Sequence, residues 1–174
     1  MQPELAAFAA QNVTRNDLAD RVRIIAGDLL DPPDVLAPGR FDHVMANPPY
    51  MPPGRGLTPP DSSKAAATVE GAADLAAWID FALSMVKPKG SITLVHRADR
   101  LDEVLALLHG RAGGIVVFAL WPGRGRPAKR VIVRARRGVR TPMRLAAGLT
   151  LHRDDGEYDE AALAVLRDGG ALVL

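Results

Sequence analysis

An amide, two prolines and an aromatic ring follow one another at Asn47-Pro48-Pro49-Tyr50, directly after the apolar run from Phe41 to Ala46. The amine nitrogen of adenine or of a carboxamide is a poor nucleophile, because its lone pair is delocalised into the neighbouring π system. If the Asn47 side-chain oxygen and the Pro48 carbonyl each accept one N–H, the lone pair turns toward an incoming methyl group. These residue types predict a pocket for methyl transfer to the nitrogen of a planar amine.

The other residues of this segment, hereafter the Asn47–Tyr50 segment, support the same prediction. Proline at positions 48 and 49 fixes φ and removes two backbone donors, so the turn is stiff. Tyr50 offers a flat face, and stacking of a base on such a ring contributes roughly 1 to 3 kcal/mol. The alternative interpretation is a plain turn made of turn-forming residues. The strand-like run that precedes the segment favours the pocket.

Length and composition predict one domain of ordinary size, because 174 residues with 48% hydrophobic content can bury a single core. The chain has no cysteine, and its four histidines are too scattered to predict a metal site. No signal peptide is recognisable, and no apolar stretch approaches the roughly 20 residues that cross a bilayer. We therefore expect a soluble cytosolic protein without a metal or a membrane partner.

The charge is unevenly distributed, although the formal net charge is only +2. Between Trp121 and Arg144 there are basic residues but no acidic one, which predicts a polyanionic partner. The basic residues of this run are Arg124, Arg126, Lys129, Arg130, Arg134, Arg136, Arg137, Arg140 and Arg144.

Helices and strands alternate along the chain, a pattern that predicts an α/β fold with an open sheet. We predict helices at 3–16, 71–86, 101–109 and near 159–167, and strands at 21–26, 41–46, 91–96, 114–120, 130–135 and near 149–152. Too few residues separate strands 114–120 and 130–135 for a crossover helix, so these two should form an antiparallel hairpin. Residues 51–66, rich in Pro, Gly and Ser, predict a mobile lid.

Together these features resemble the class I S-adenosylmethionine-dependent methyltransferases. The resemblance rests on a strand ending in Gly27-Asp28, the Asn47–Tyr50 segment at a strand tip, a turn at Lys87-Pro88-Lys89-Gly90 and the final antiparallel hairpin. The N-P-P-Y form is characteristic of members that methylate an amino or amide nitrogen. His96-Arg97 and the run from Gly125 to Val131 look like the bacterial tRNA adenine-N6 methyltransferases, which modify a base next to the anticodon of valine tRNA.

The resemblance implies a class I methyltransferase (Rossmann-like) sheet with a C-terminal antiparallel hairpin. Members of that superfamily carry a Gly-rich loop after the first strand and an acidic residue closing the second strand, and neither is present here. Met1-Gln2-Pro3-Glu4 corresponds to the residues just after that acidic position. We therefore expect residues 1–174 to form a single partial domain, the C-terminal two-thirds of the fold, lacking the first two strands and the Gly-rich loop.

The resemblance also implies roles for individual residues. Catalysis falls to Asn47, Pro48, Pro49 and Tyr50, binding of S-adenosylmethionine to Asp28, Leu29 and Asn47, and RNA binding to Arg97, Arg124, Arg126, Lys129 and Arg130. Other interpretations stay open: Asp28 as a cap of the following turn, Arg97 as the ion-pair partner of Asp99 or Asp102, and the basic hairpin as a solvated surface.

The implied activity is transfer of a methyl group from S-adenosylmethionine to the N6 amine of adenine in RNA, with a tRNA anticodon loop as the expected substrate. Two alternatives remain. The same pocket could serve protein glutamine or another nucleic-acid amine, or the chain could be a noncatalytic RNA-binding remnant. Basic residues in the last hairpin favour a nucleic acid over a protein, and salt-dependent binding would separate these substrates.

Overall fold

The computed structural model describes residues 3–51 and 69–174. Its helices are α1 (Pro3–Arg15), α2 (Leu75–Met85), α3 (Leu101–Leu108), which follows a 3-10 turn at Ala98–Arg100, and α4 (Glu160–Leu166). Its strands are β1 (Phe41–Ala46), β2 (Val86–Arg97), β3 (Ala112–Trp121), β4 (Arg130–Arg137) and β5 (Arg144–Thr150).

The strands form one five-stranded sheet in the order β1-β2-β4-β3-β5. β1 runs parallel to β2 and β5 runs parallel to β3, whereas β4 is antiparallel to both of its neighbours. Four strands therefore finish where β4 begins. We call this border, marked by Ala46, Arg97, Arg130, Trp121 and Thr150, the carboxyl edge of the sheet.

The hydrophobic core lies between this sheet and helices α2 and α3. Asp74 caps α2, because its Oδ1 accepts a hydrogen bond from the Ala77 backbone N–H at 2.8 Å. The apolar residues of α2 then recur at helical spacing, and the helix packs on β1 and β2 beside α3. The buried set is Leu75, Ile79, Ala82, Leu83, Val86, Ile92, Leu94, Val104, Leu108, Val117, Val131, Val133 and Ala135.

The predicted antiparallel hairpin is confirmed. β3 pairs with β4 from Ala112 opposite Arg137 to Leu120 opposite Arg130. The predicted helices are present too, although α2 begins at Leu75 instead of Gly71, since the Asp74 cap fixes its first turn. Among the described residues, no helix combines the length and apolar character needed to cross a membrane.

The predicted strand at 21–26 is wrong. These residues form irregular chain, and Val22 and Ile24 are each 39% exposed. A run of β-branched residues becomes a strand only where a neighbouring strand completes its hydrogen-bond ladder. Within the described ranges, no strand lies beside this run, so Asp28 does not follow a strand end.

The predicted turn at Lys87-Pro88-Lys89-Gly90 is also wrong, because these residues lie within β2 as a bulge. Phe41 pairs with Val86 and His43 pairs with Ser91, so the two strands advance by different numbers of residues. Lys89 has a φ of 65°, and a Cβ added at Gly90 would lie 2.7 Å from the Asp42 carbonyl oxygen. Close approach of β1 therefore requires glycine at position 90.

Candidate active site

The Asn47–Tyr50 segment leaves β1 at the carboxyl edge, as predicted. Pro48 is fully buried, Asn47 is exposed, and Pro49 and Tyr50 are half-buried. A buried proline has a fixed φ and makes no use of a backbone donor, so it anchors the turn without an unpaired N–H. Pro48 thus anchors the segment in the protein interior, while Asn47 is exposed to solvent.

One face of the Tyr50 ring is covered by Arg130, the first residue of β4. The Arg130 Cζ lies 5.4 Å from the ring centroid, which is within the range of a cation–π contact. The sequence predicts Arg130 as an RNA contact, and its contact with Tyr50 was not anticipated. Arg130 therefore backs one face of Tyr50, and the opposite face is the candidate stacking surface for a planar substrate.

The backbone of Tyr50 is bound by Arg100, which sequence reasoning missed. The Arg100 Nη1 donates to the Tyr50 carbonyl at 3.3 Å and forms an ion pair with Glu70. Its Nε and Nη2 donate to the two carboxylate oxygens of Glu103 at 2.9 and 2.8 Å. The Arg100 and Glu70 side chains are only 12% and 6% exposed. Burial opposes the charge on Arg100, but its hydrogen bonds to Glu70 and Glu103 raise its pKa above the ordinary value.

Glu70 is held in turn by the chain that follows the segment. Its backbone N–H donates to the Met51 carbonyl at 2.9 Å, and Met51 forms a parallel bridge with Val69. The predicted lid at residues 51–66 lies outside the described residues except for Met51. A bidentate pair at i, i+3 such as Arg100 with Glu103 is visible in a sequence, whereas Glu70 is too distant along the chain to be paired by inspection.

His96, the penultimate residue of β2, is a second site residue for which the sequence predicted no role. Its side chain is 2% exposed, and within the described part of the chain neither ring nitrogen has a hydrogen-bond partner. Burial is the main cause, and the nearby charge of Arg100 the second, of the lowering of the pKa of His96 from 6.5 to about 4. His96 is therefore a neutral imidazole at physiological pH.

Arg97 forms an ion pair with Asp99, one of the two alternatives raised by the sequence. The Arg97 Nε donates to Asp99 Oδ1 at 2.7 Å, and Nη2 pairs with Oδ2. This hydrogen bonding raises the pKa of Arg97 and lowers that of Asp99. Arg97 remains at the carboxyl edge, where it is the register partner of Arg130.

The basic run between Trp121 and Arg144 does not form a single surface. Strand β4 advances by about 3.4 Å per residue, which separates Arg130 from Arg137 by about 24 Å. At the far end, Arg136 donates to the Lys89 carbonyl at 3.1 Å and Arg137 to the Val86 carbonyl at 2.7 Å. These two arginines stabilise the β2 backbone, so the carboxyl edge receives only the first part of the run.

The basic residues at the carboxyl edge are those of the β3–β4 turn. Arg124, Arg126, Lys129 and Arg130 are all exposed there. The Lys129 carbonyl accepts a hydrogen bond from the Ala98 backbone N–H at 3.1 Å, which binds the end of the turn to the chain after β2. The β3–β4 turn thus presents Arg124, Arg126, Lys129 and Arg130 at the carboxyl edge, where Tyr50 also lies.

Asp28 and Leu29 lie in the irregular chain between α1 and β1. Asp28 is exposed, and its Oδ1 accepts the Leu30 backbone N–H at 2.9 Å. This local turn is the alternative interpretation that the sequence left open for Asp28. The described residues form no hydrogen bond or ion pair between Asp28 or Leu29 and the Asn47–Tyr50 segment.

The sequence of this chain matches a known protein family. The profile of the family described as N-6 DNA Methylase matches residues 2–103. A tRNA1(Val) (adenine(37)-N6)-methyltransferase of Porphyromonas gingivalis is 29% identical over 106 residues, or 60% of this chain and 41% of that protein. The enzyme of the same name from Dickeya chrysanthemi is 27% identical over 165 residues, or 92% of this chain and 64% of that protein. The chain therefore spans less than two thirds of either relative.

A relative named for a different RNA and a solved structure with a similar fold also match this chain. The rRNA N(6)-adenosine-methyltransferase metl-5 of Caenorhabditis elegans is 26% identical over 102 residues, covering 59% of this chain and 40% of that protein. The crystal structure of a predicted O-methyltransferase, protein Atu636 from Agrobacterium tumefaciens, superposes with a TM-score of 0.72 at 22% identity, over 98% of this chain and 76% of that one. The sheet thus has a class I methyltransferase-like fold, and the chain belongs to the N-6 DNA methylase family.

Proposed function

We propose that this protein transfers a methyl group from S-adenosylmethionine to the N6 amine of adenine in RNA, with tRNA as the substrate, in the cytoplasm. The observation that carries the proposal is the Asn47–Tyr50 segment at the carboxyl edge, with Pro48 buried, Asn47 exposed and the half-buried Tyr50 ring backed by Arg130. The names of the relatives support the substrate, because each of the three acts on adenine or adenosine in tRNA or rRNA. Exposed basic residues on the same edge support a polyanionic substrate.

The pocket would work by orientation rather than by a strong base. The Asn47 Oδ1 and the Pro48 carbonyl each accept one N–H of the adenine amine, which directs the nitrogen lone pair away from the ring plane. The base stacks on the face of Tyr50 opposite Arg130. Arg100 keeps the Tyr50 carbonyl in place, since its bond to Glu70 is almost fully shielded from water. The nitrogen would form a bond to the methyl carbon as the carbon–sulfur bond breaks, S-adenosylhomocysteine would leave as a neutral thioether, and one proton would pass from the nitrogen to solvent.

The described residues fit one end of the cofactor. S-adenosylmethionine, when bound, supplies an electrophilic methyl group on a sulfonium. Of the two carboxylate oxygens of Asp28, only Oδ1 has a hydrogen-bond partner within the described ranges. Oδ2 is therefore able to accept a hydrogen bond from the cofactor adenine amine, and Leu29 is the next residue along the chain. Residues 3–51 and 69–174 contain no Gly-rich turn between a strand end and a helix start, and we assign no residue to the methionine end.

Substitution of Asn47 by Ala tests the proposal. Because the amide oxygen would orient the nucleophile, we expect methyl transfer from labelled S-adenosylmethionine to unmodified tRNA to fall by about 100-fold or more, with tRNA binding unchanged. Asn16→Ala, which removes an exposed amide from the chain just after α1, is the matched control and should keep full activity. Unreduced transfer by Asn47→Ala would contradict the pocket. RNA binding without transfer by the unmodified chain would favour a noncatalytic role.

A further inference from the structure

A concavity of about 610 Å³ opens on the β3–β4 turn, apart from the Asn47–Tyr50 segment. Its walls include Trp121, Arg124, Arg126, Pro127 and Thr150, together with glycines of the turn. An aromatic ring and two guanidinium groups that line one concavity match the two chemical parts of a nucleotide, which are a planar base and a phosphate.

The indole of Trp121 is held in a fixed orientation. Its Nε1 donates to the Ala147 carbonyl of β5 at 3.0 Å, which satisfies its polar edge. Gly148 lets β5 come this close, since a Cβ there would lie 2.6 Å from Trp121 Nε1 and would collide with the Ala119 carbonyl. A ring whose orientation is fixed before binding loses little entropy when a base stacks on it.

The two arginines are presented by a tight turn. The Arg126 backbone N–H donates to the Gly123 carbonyl at 3.3 Å, and Gly125 has a φ of +66°, as the third residue of such a turn requires. Arg124 and Arg126 are exposed, and no carboxylate within 3–51 or 69–174 lies in ion-pair range of either. Their charge is available to an anion, although Arg126 also borders a smaller concavity of about 290 Å³ that includes Asp154.

The concavity lies on the same edge as the candidate pocket. Trp121 follows Leu120, the register partner of Arg130, and Arg130 covers the Tyr50 ring. Neighbouring strands are about 4.8 Å apart, and three such spacings separate β1 from β3, so the strand ends that carry the two sites are roughly 14 Å apart. A single strand of RNA that reaches Tyr50 with one base can place a nearby nucleotide against Trp121.

We propose that this concavity is a second nucleotide subsite for single-stranded RNA, in which Trp121 stacks on a base while Arg124 and Arg126 bind its phosphate. This inference rests on the proposed function for its choice of RNA over other anions. It assigns the basic hairpin a specific task, which is to hold a nucleotide beside the target adenine.

Tryptophan fluorescence tests the subsite without any methyl transfer. The chain has two tryptophans, so Trp78→Phe leaves Trp121 as the only indole. We expect a single-stranded oligouridylate of eight nucleotides to quench Trp121 saturably, and uridine monophosphate to do so only at far higher concentration. Binding of labelled oligonucleotide, followed by anisotropy, should weaken by about 5- to 100-fold in Trp121→Leu.

A double substitution of Arg124 and Arg126 by Ala should reduce the slope of log affinity against log salt by about 0.7, the value for the one phosphate that the two arginines would share. Arg140→Ala with Arg144→Ala removes equal charge away from the carboxyl edge and should preserve Trp121 quenching. Oligonucleotide binding without a change in Trp121 emission would overturn the subsite and leave the proposed function intact. Equal affinity for the mononucleotide would identify a free-nucleotide site instead. Quenching in a chain that fails to methylate RNA would refute only the proposed activity.

Discussion

Acidification should destabilise this protein through His96. The folded state holds its imidazole neutral with a pKa of about 4, against an ordinary value of 6.5 in the unfolded chain. Between these two values the unfolded chain binds a proton that the folded chain does not, so stability falls as the pH is lowered from 6.5 to 4. At 1.36 kcal/mol per pH unit, the contribution of this residue amounts to at most about 3 kcal/mol.

The contribution is measurable as a difference between variants. We would follow urea unfolding by circular dichroism at intervals from pH 7.5 to pH 4.5, in the unmodified protein and in His96→Leu. Asp42 and Asp99 also have lowered pKa values, through their bonds to Lys87 and Arg97, but they affect both proteins equally. The free energy of unfolding of His96→Leu should therefore decline less steeply below pH 6.5.

An exposed histidine provides the control. His109 follows α3 at the surface, so His109→Gln should retain the steep decline of the unmodified protein. Parallel pH profiles for His96→Leu and the unmodified protein would refute the assignment, because they would mean that burial of His96 has no effect on its protonation.

Two further substitutions test the supports of the site. Glu70→Ala should lower the free energy of unfolding by about 3 kcal/mol, since it leaves the buried guanidinium of Arg100 with one carboxylate, and should reduce methyl transfer through Tyr50; Glu70→Gln should restore part of both. Retained stability in Glu70→Ala, measured by urea unfolding, would contradict the ion pair. Gly148→Ala should lower the free energy of unfolding by about 3 kcal/mol, because backbone strain at a φ of +84° adds to a collision of the new Cβ with Ala119 and Trp121 of β3. Gly156 has a similar φ of +87° but open space around it, so Gly156→Ala should lower the free energy of unfolding by only about 1 kcal/mol, as measured by thermal unfolding. Equal losses in the two variants would show that the crowding at Gly148 has no energetic effect.

Local signals in the sequence were enough to predict most of the sheet. The spacing between β3 and β4 permits only an antiparallel connection, and the apolar run ending at Ala46 predicts β1 with the Asn47–Tyr50 segment at its tip. The run at residues 21–26 contains three β-branched residues, Val22, Ile24 and Ile25, but no strand in the described ranges pairs with it. Composition reports how well a residue suits a strand, whereas pairing depends on the rest of the sheet.

The contacts that hold the site were beyond sequence reasoning for a different reason. Arg100 meets Glu70, and Arg130 meets Tyr50, across long stretches of chain, and only the folded register brings them together. The run of basic residues was visible, but its division between two edges follows from the length of β4. His96 gave no signal, because an orphaned imidazole differs from a solvated one only in its surroundings.

The contact between Arg130 and Tyr50 links two proposed properties, RNA binding by the β3–β4 hairpin and stacking of the target base, that could otherwise vary separately. The ring proposed to receive the target base is backed by the first residue of the hairpin proposed to bind RNA. A substitution that adapts the hairpin to a different RNA therefore also changes the wall of the methylation pocket. Exchange of hairpins between relatives should succeed only when position 130 is transferred together with its aromatic partner at position 50.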